Sequence, residues 1–182
     1  MSRYSLRRHA SPTRYPVPMT MLQLRNEDAR VVYLATVYHL GRPGSETDPE
    51  TLQRHDLGLR SVHQVLHESL EKAVVEVDVS PYQLTRIGEA LLGTANELKQ
   101  FGIASGQSMV PGFAETLHQL YPETRDDPGI AMDLAQHPVM LRNRMSQAIE
   151  DAERQVEEAR EEQVRQRREQ RGAWWQFWKR DG

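Results

Sequence analysis

His63, His67 and Glu71 are the residues whose types and spacing come nearest to chemistry in this chain. Steps of four place all three along one side of a helix, within reach of a common cation, and imidazole and carboxylate are both ordinary zinc ligands. With about 100° of rotation per residue, however, that line drifts away from the apolar stripe Leu59, Val62, Leu66 and Leu70 toward solvent. A catalytic ion needs a shaped, partly dry cavity and hydrogen-bond support for its ligands. The expectation is therefore a polar flank that holds no metal.

Other constellations stop short of a site. His67-Glu68 opens like a zinc-protease helix motif, but Glu71 stands where the second histidine belongs. Glu115-x-x-His118 matches one arm of a di-iron bundle, which requires a second arm and two more glutamates from other helices. Ser108 lies in Gly106-Gln107-Ser108-Met109-Val110, and Val110 occupies the position where a nucleophile elbow needs glycine. Neither a dinucleotide-binding nor a P-loop fingerprint occurs. No catalytic residue, no metal ligand and no cofactor is assigned, and the chain is expected not to be an enzyme.

The elements that position these residues read as a small, mostly α domain over 20–135. Asn26 is placed to cap a first helix, with Glu27 and Asp28 in its first turn and one apolar stripe, Val31, Leu34, Ala35 and Tyr38. Gly41 and Arg42-Pro43-Gly44 end it. Asp48-Pro49 starts a second helix, with stripe Leu52, Leu59, Val62, Leu66, Leu70 and Ala73. Val75 to Val79 alternates apolar and acidic residues, a strand signature, and Leu22-Gln23-Leu24 alternates likewise, so a short two-stranded ribbon against the helices is expected. Ser80-Pro81-Tyr82-Gln83 is the strongest helix start: a capping box with proline at the first helical position, followed by Leu84, Ile87, Leu91, Ala95 and Leu98. From Ile103 to His137 the chain reads as loop-rich, with one short helix around Pro111–Tyr121. The periodicities are generic and assign the chain to no family.

Composition sets limits. Among 182 residues, 38% are hydrophobic and 27% charged. The formal net charge of −3 gives no bulk attraction to nucleic acid or anionic lipid. There is no cysteine, which excludes disulfides and thiolate metal sites. No apolar run approaches the roughly 18 residues of a membrane span. Residues 1–19 carry Arg3, Arg7, Arg8 and Arg14, three prolines and no acid, and read as a disordered basic arm; they lack a secretory h-region, although an acid-poor, Arg- and Ser-rich leader also resembles a transit peptide. A cytoplasmic protein is expected.

Past the domain, residues 138–171 read as a long charged helix, on the order of 50 Å. Its seam, Leu141, Met145, Ile149, Ala152, Val156 and Ala159, is thin, and Glu150–Arg154 and Glu161–Arg165 are expected i,i+4 ion pairs. A solvated rod and one half of a weakly self-associating coiled coil are the two readings, the rod being favoured because good heptads are few. Residues 172–182 follow as an aromatic-basic tail. Trp174, Trp175 and Trp178 are the only tryptophans, and Phe177, Lys179 and Arg180 stand among them. Such a tail suits a protein groove that takes aromatic anchors, then a membrane interface, and last a nucleic acid, which the acidic residues upstream would repel. Folding back onto the chain's own body is the alternative to all three. The sequence thus predicts a non-enzymatic adaptor, regulatory or assembly protein that docks a protein partner through these six residues.

Overall fold

The computed structural model describes residues 19–42, 44 and 58–180, with side chains through Arg168. Apart from Met19, the basic arm expected over 1–19 lies outside these residues, as do the helix start expected at Asp48-Pro49 and Leu52 of its stripe.

The fold is mostly α with one small antiparallel sheet, as the pattern predicts. β1 (Thr20–Arg25) pairs with β2 (Val74–Val79) in a register running from Thr20 opposite Val79 to Arg25 opposite Val74. Strict alternation gives the ribbon two unlike faces. Leu24, Val75, Val77 and Val79 are buried on the helices, while Glu76 and Asp78 face out and Gln23 Nε2 donates to Glu76 Oε1 across the strands at 2.9 Å. A lone hairpin-sized ribbon is marginal in water, so its stability comes from the apolar face it presents to the helices.

α1 (Asn26–Gly41) follows β1 without a loop. Asn26 does not cap it; Arg25 is the capping residue, without a side-chain bond. Asn26 Nδ2 instead donates to the carbonyl oxygens of Leu70 and Lys72, and its N–H to Ala73 O at 3.0 Å, clamping the turn that leads into β2. The expected single stripe is also too narrow. From Asp28 to Thr36 all but Arg30 are buried, because α1 runs through the middle of the molecule.

α2 (Arg60–His67) lays Val62 and Leu66 on α1. α3 (Pro81–Ile103) starts where the capping box places it: Ser80 Oγ accepts from Gln83 N at 3.2 Å, and Ser80 N donates to Gln83 Oε1 at 2.9 Å. Gln83 is buried, and its Nε2 donates further to Gly58 O and Ser61 Oγ, tying α3 to the approach to α2. Two glycines let neighbours come close to α3. A Cβ at Gly93 would lie 2.1 Å from the Tyr38 ring, and one at Gly88 would lie 2.9 Å from Ile149.

The stretch expected to be loop-rich is a run of short helices: α4 (Phe113–Leu120), a 3₁₀ turn (Pro122–Arg125), α5 (Ile130–Leu134) and α6 (Gln136–Arg144). α4 is the one short helix expected around Pro111–Tyr121; the others are too short for a periodic signal. They are held by a second core in which Phe101, Phe113, Leu117, Ala131 and Ala135 pack with Leu34 and Leu98.

α7 (Ser146–Arg180) is the longest element. The single helix expected over 138–171 is split by one residue, Met145, whose N–H is shared between Leu141 O and Arg142 O while Ser146 Oγ donates to Asn143 O. Side-chain bonding of this kind back into the carbonyl ladder bends helices. At the other end the helix does not stop at 171. Nothing after Gly172 breaks it, and it continues through the aromatic segment to Arg180.

Candidate functional site

Two places hold the residues singled out above: the histidines of α2 and the far end of α7. At the first, Thr36 Oγ1 donates to Tyr33 O at 2.7 Å, so it meets His63 Nδ1, 2.9 Å away, as an acceptor. That fixes the proton of His63 on Nδ1. His67 Nδ1 lies 3.0 Å from the Tyr33 hydroxyl. The Tyr33 ring stacks on both imidazoles, at centroid distances of 4.8 Å and 5.7 Å. Burial, followed by the neighbouring His67 and Arg60, pushes the pKa of His63 down, and burial pushes the Tyr33 hydroxyl up.

His63 and His67 join a stacked, hydrogen-bonded seam between α1 and α2, and the line runs out to solvent as expected: His63 is half-buried, His67 and Glu71 exposed. The two imidazoles are near-parallel with centroids 6.4 Å apart, and their Nδ1 atoms are turned to Tyr33 and Thr36. Glu71 lies beyond the end of α2, and among the described residues no group of three or more His, Asp or Glu is placed to hold an ion. Tyr33 and Thr36, which organise the seam, sit one helical turn apart on α1, a spacing that carries no meaning until α2 is known to cross there.

The remaining candidates are structural. His118 packs edge-on against Phe101 at 5.7 Å, while Glu115 is exposed. Ser108 Oγ donates to Glu97 Oε1 at 2.6 Å and accepts from Val110 N at 3.1 Å, closing a turn. A polar contact not anticipated from sequence joins α1 to α6: buried Asp28 accepts from Arg144 at 2.5 Å and pairs with His137 Nε2 at 3.1 Å. Their separation of more than a hundred residues leaves no local signal. No family model, curated protein or solved structure matches the chain.

α7 is built differently from every other element. Met132 of α5 meets Gly102, and Ile149 of α7 meets Gly88, so the chain runs back along α3 antiparallel to it. Seven residues from Gly88 reach Pro81, the first residue of α3; seven residues from Ile149 reach Val156. The helix therefore runs out of partner at Val156, and burial follows. Ile149, Ala152 and Val156 are buried, whereas from Glu157 to Arg168 every residue is exposed except the half-buried Glu162. From Glu157 to Arg180 the helix extends by about 36 Å.

Ion pairs run along α7, but at i,i+3 in place of the i,i+4 pairs expected: Asp151 with Arg154 on the seated part, and Glu157 with Arg160 at 3.5 Å and Glu162 with Arg165 on the projecting part. All are exposed, and such pairs contribute a few tenths of a kcal/mol each. Trp174, Trp175, Phe177, Trp178, Lys179 and Arg180 occupy the last turns of this helix. Trp174, Phe177 and Trp178 thus stand at i, i+3 and i+4, the spacing of neighbours on one helix face. No helix among the described residues is long and apolar enough to cross a membrane.

Proposed function

We propose that this chain is a non-enzymatic adaptor or assembly component that docks a protein partner through the end of α7. One observation carries the reading: the helix outruns α3 at Val156 and continues to Arg180, bearing all the tryptophans at its far end. Extending a helix past its packing partner gains no burial within the body. Aromatic residues at i, i+3 and i+4 are the anchors by which a helix enters an apolar groove.

Tryptophan emission tests this directly, because every indole lies between 174 and 178. In the isolated chain the emission should be that of exposed indole and readily quenched by iodide. Affinity capture with the intact chain, with a truncation after Arg171 and with a Trp174→Ala, Trp175→Ala, Trp178→Ala variant should recover a protein only with the first. Anchors of this kind cost about 2 kcal/mol or more each on truncation. Blue, unquenchable emission in the free chain, with lost stability in the triple variant, would instead place the aromatics in the body. Co-sedimentation with liposomes in place of protein capture would favour anchoring at a bilayer interface, where tryptophan and basic residues also concentrate.

A further inference from the structure

We infer that the partner is acidic, presenting carboxylates along a groove that ends in an apolar pocket; this rests on the docking reading above. The basis is the rotational phase of α7. Taking Trp174 as the origin and about 100° per residue, Ile149, Ala152 and Val156, the residues seated on the body, fall on one side of the helix. Beyond Val156 the same side carries Ala159, Arg160, Gln163, Val164, Arg167, Gln170, Arg171, Trp174, Phe177 and Trp178.

Beyond Val156 that arc, roughly 140° wide, contains no acid. Glu157, Glu158, Glu161, Glu162 and Glu169 all fall outside it, although the segment as a whole is rich in glutamate. The face that the body covers as far as Val156 thus continues as a strip whose only charges are Arg160, Arg167 and Arg171, and finishes in aromatics.

The ion pairs follow the same division. Arg154 and Arg165, on the opposite side, are each paired with an acid one turn away, Asp151 and Glu162. On the acid-free side Arg160 has only the 3.5 Å contact to Glu157, and Arg167 has no ion pair among the described residues. This side carries positive charge that is at most loosely paired within the helix, which an opposite potential on a partner would complete.

The middle of the strip also decides between a protein and a bilayer. An interfacial helix sinks a continuous apolar face and keeps its cations at the margins. Here Arg160, Gln163, Arg167 and Gln170 occupy the centre, where the acyl chains would have to be. A polar, carboxylate-lined groove accepts them.

Three probes test this with the intact chain, reading tryptophan emission: a designed helical peptide with a leucine stripe flanked by glutamates, the same peptide with lysine for glutamate, and vesicles of mixed phosphatidylserine and phosphatidylcholine. The glutamate peptide should give a saturable blue shift and the lysine peptide none. Arg167→Glu with Arg171→Glu should weaken the glutamate peptide by roughly tenfold or more and admit the lysine peptide. Arg165→Glu, on the opposite side, should change neither. Equal binding of both peptides, no shift with the glutamate peptide, or a shift with vesicles alone would each overturn the inference. Capture of a protein that survives the double arginine reversal but not the triple tryptophan variant would refute the acidic partner and leave the docking reading standing.

Discussion

Tyr38 of α1 occupies the space that any side chain at Gly93 of α3 would need. A Cβ there would lie 2.1 Å from the ring. Gly93→Ala therefore sets two effects against each other. Alanine gains about 1 kcal/mol of helix propensity over glycine, while forcing two packed helices apart costs about 1–3 kcal/mol. The clash should win, lowering the denaturation midpoint. With Tyr38→Ala in the background the sign should reverse, because only the propensity gain remains. Two additive substitutions would show that the ring does not sit there.

Gln83 should matter more than Ser80. Ser80→Ala removes one acceptor from the start of α3, worth about 1 kcal/mol. Gln83→Ala removes the reciprocal bond and also leaves Gly58 O and Ser61 Oγ without their donor, each a further net loss of about 0.5–1.5 kcal/mol. Urea denaturation of the two variants orders them; equal losses would mean that Gln83 acts only as a cap.

Acid should destabilise the fold through its histidines. His39 is buried, and burial first, then the Arg42 guanidinium, holds its pKa down to about 4; His63 is held down in the same direction. Both resist protonation in the folded chain more than in the unfolded chain, which takes up these protons near pH 6.5. The unfolded state thus binds more protons, so stability is complete above about pH 6.5 and falls as pH drops toward about 4. The denaturant midpoint should be flat between neutral and mildly alkaline pH and decline through that window. A midpoint that rises on mild acidification would contradict the lowered pKa of His39 and His63.

Two truncations separate the seat of α7 from its projection. Removing residues 172–182 leaves the seat of α7 at Ile149, Ala152 and Val156 in place, so on the docking reading the melting temperature should not change. Removing everything from Ser146 onward uncovers the α3 face around Gly88 and takes away Ile149, Ala152 and Val156, the first alone worth about 1.5–3 kcal/mol of burial. That variant should melt earlier or fail to fold. Equal melting of both would mean that α7 is not seated on α3.

The local signals were legible in the sequence. Alternation in Val75–Val79 gave a strand, and Ser80-Pro81-Tyr82-Gln83 gave a helix start, because each is a rule about near neighbours. Asn26 misled for the same reason: the residue type suits a cap, but carbonyls more than forty positions away claim its amide. The helix around Phe113–Leu120 was legible, but the 3₁₀ turn, α5 and α6 after it are too short to leave a periodic signal, and α5 is fixed by packing of Ala131 with Phe101 and Phe113. At the candidate docking element, the sequence showed the aromatics but read the arginines as a block. Only a helix unbroken to Arg180 assigns them sides.

The unbroken helix has a mechanical meaning. The body grips α7 at Ile149, Ala152 and Val156, and between there and Arg180 the only residue with a strong bias against helix is Gly172. The distal turns are keyed to the body in azimuth as well as in distance. One residue inserted after Glu158 would swing them by about 100° and advance them by about 1.5 Å, whereas seven would nearly restore the original heading. The connection is a crank, not a tether: anything held at its end would be presented to the body at a set angle.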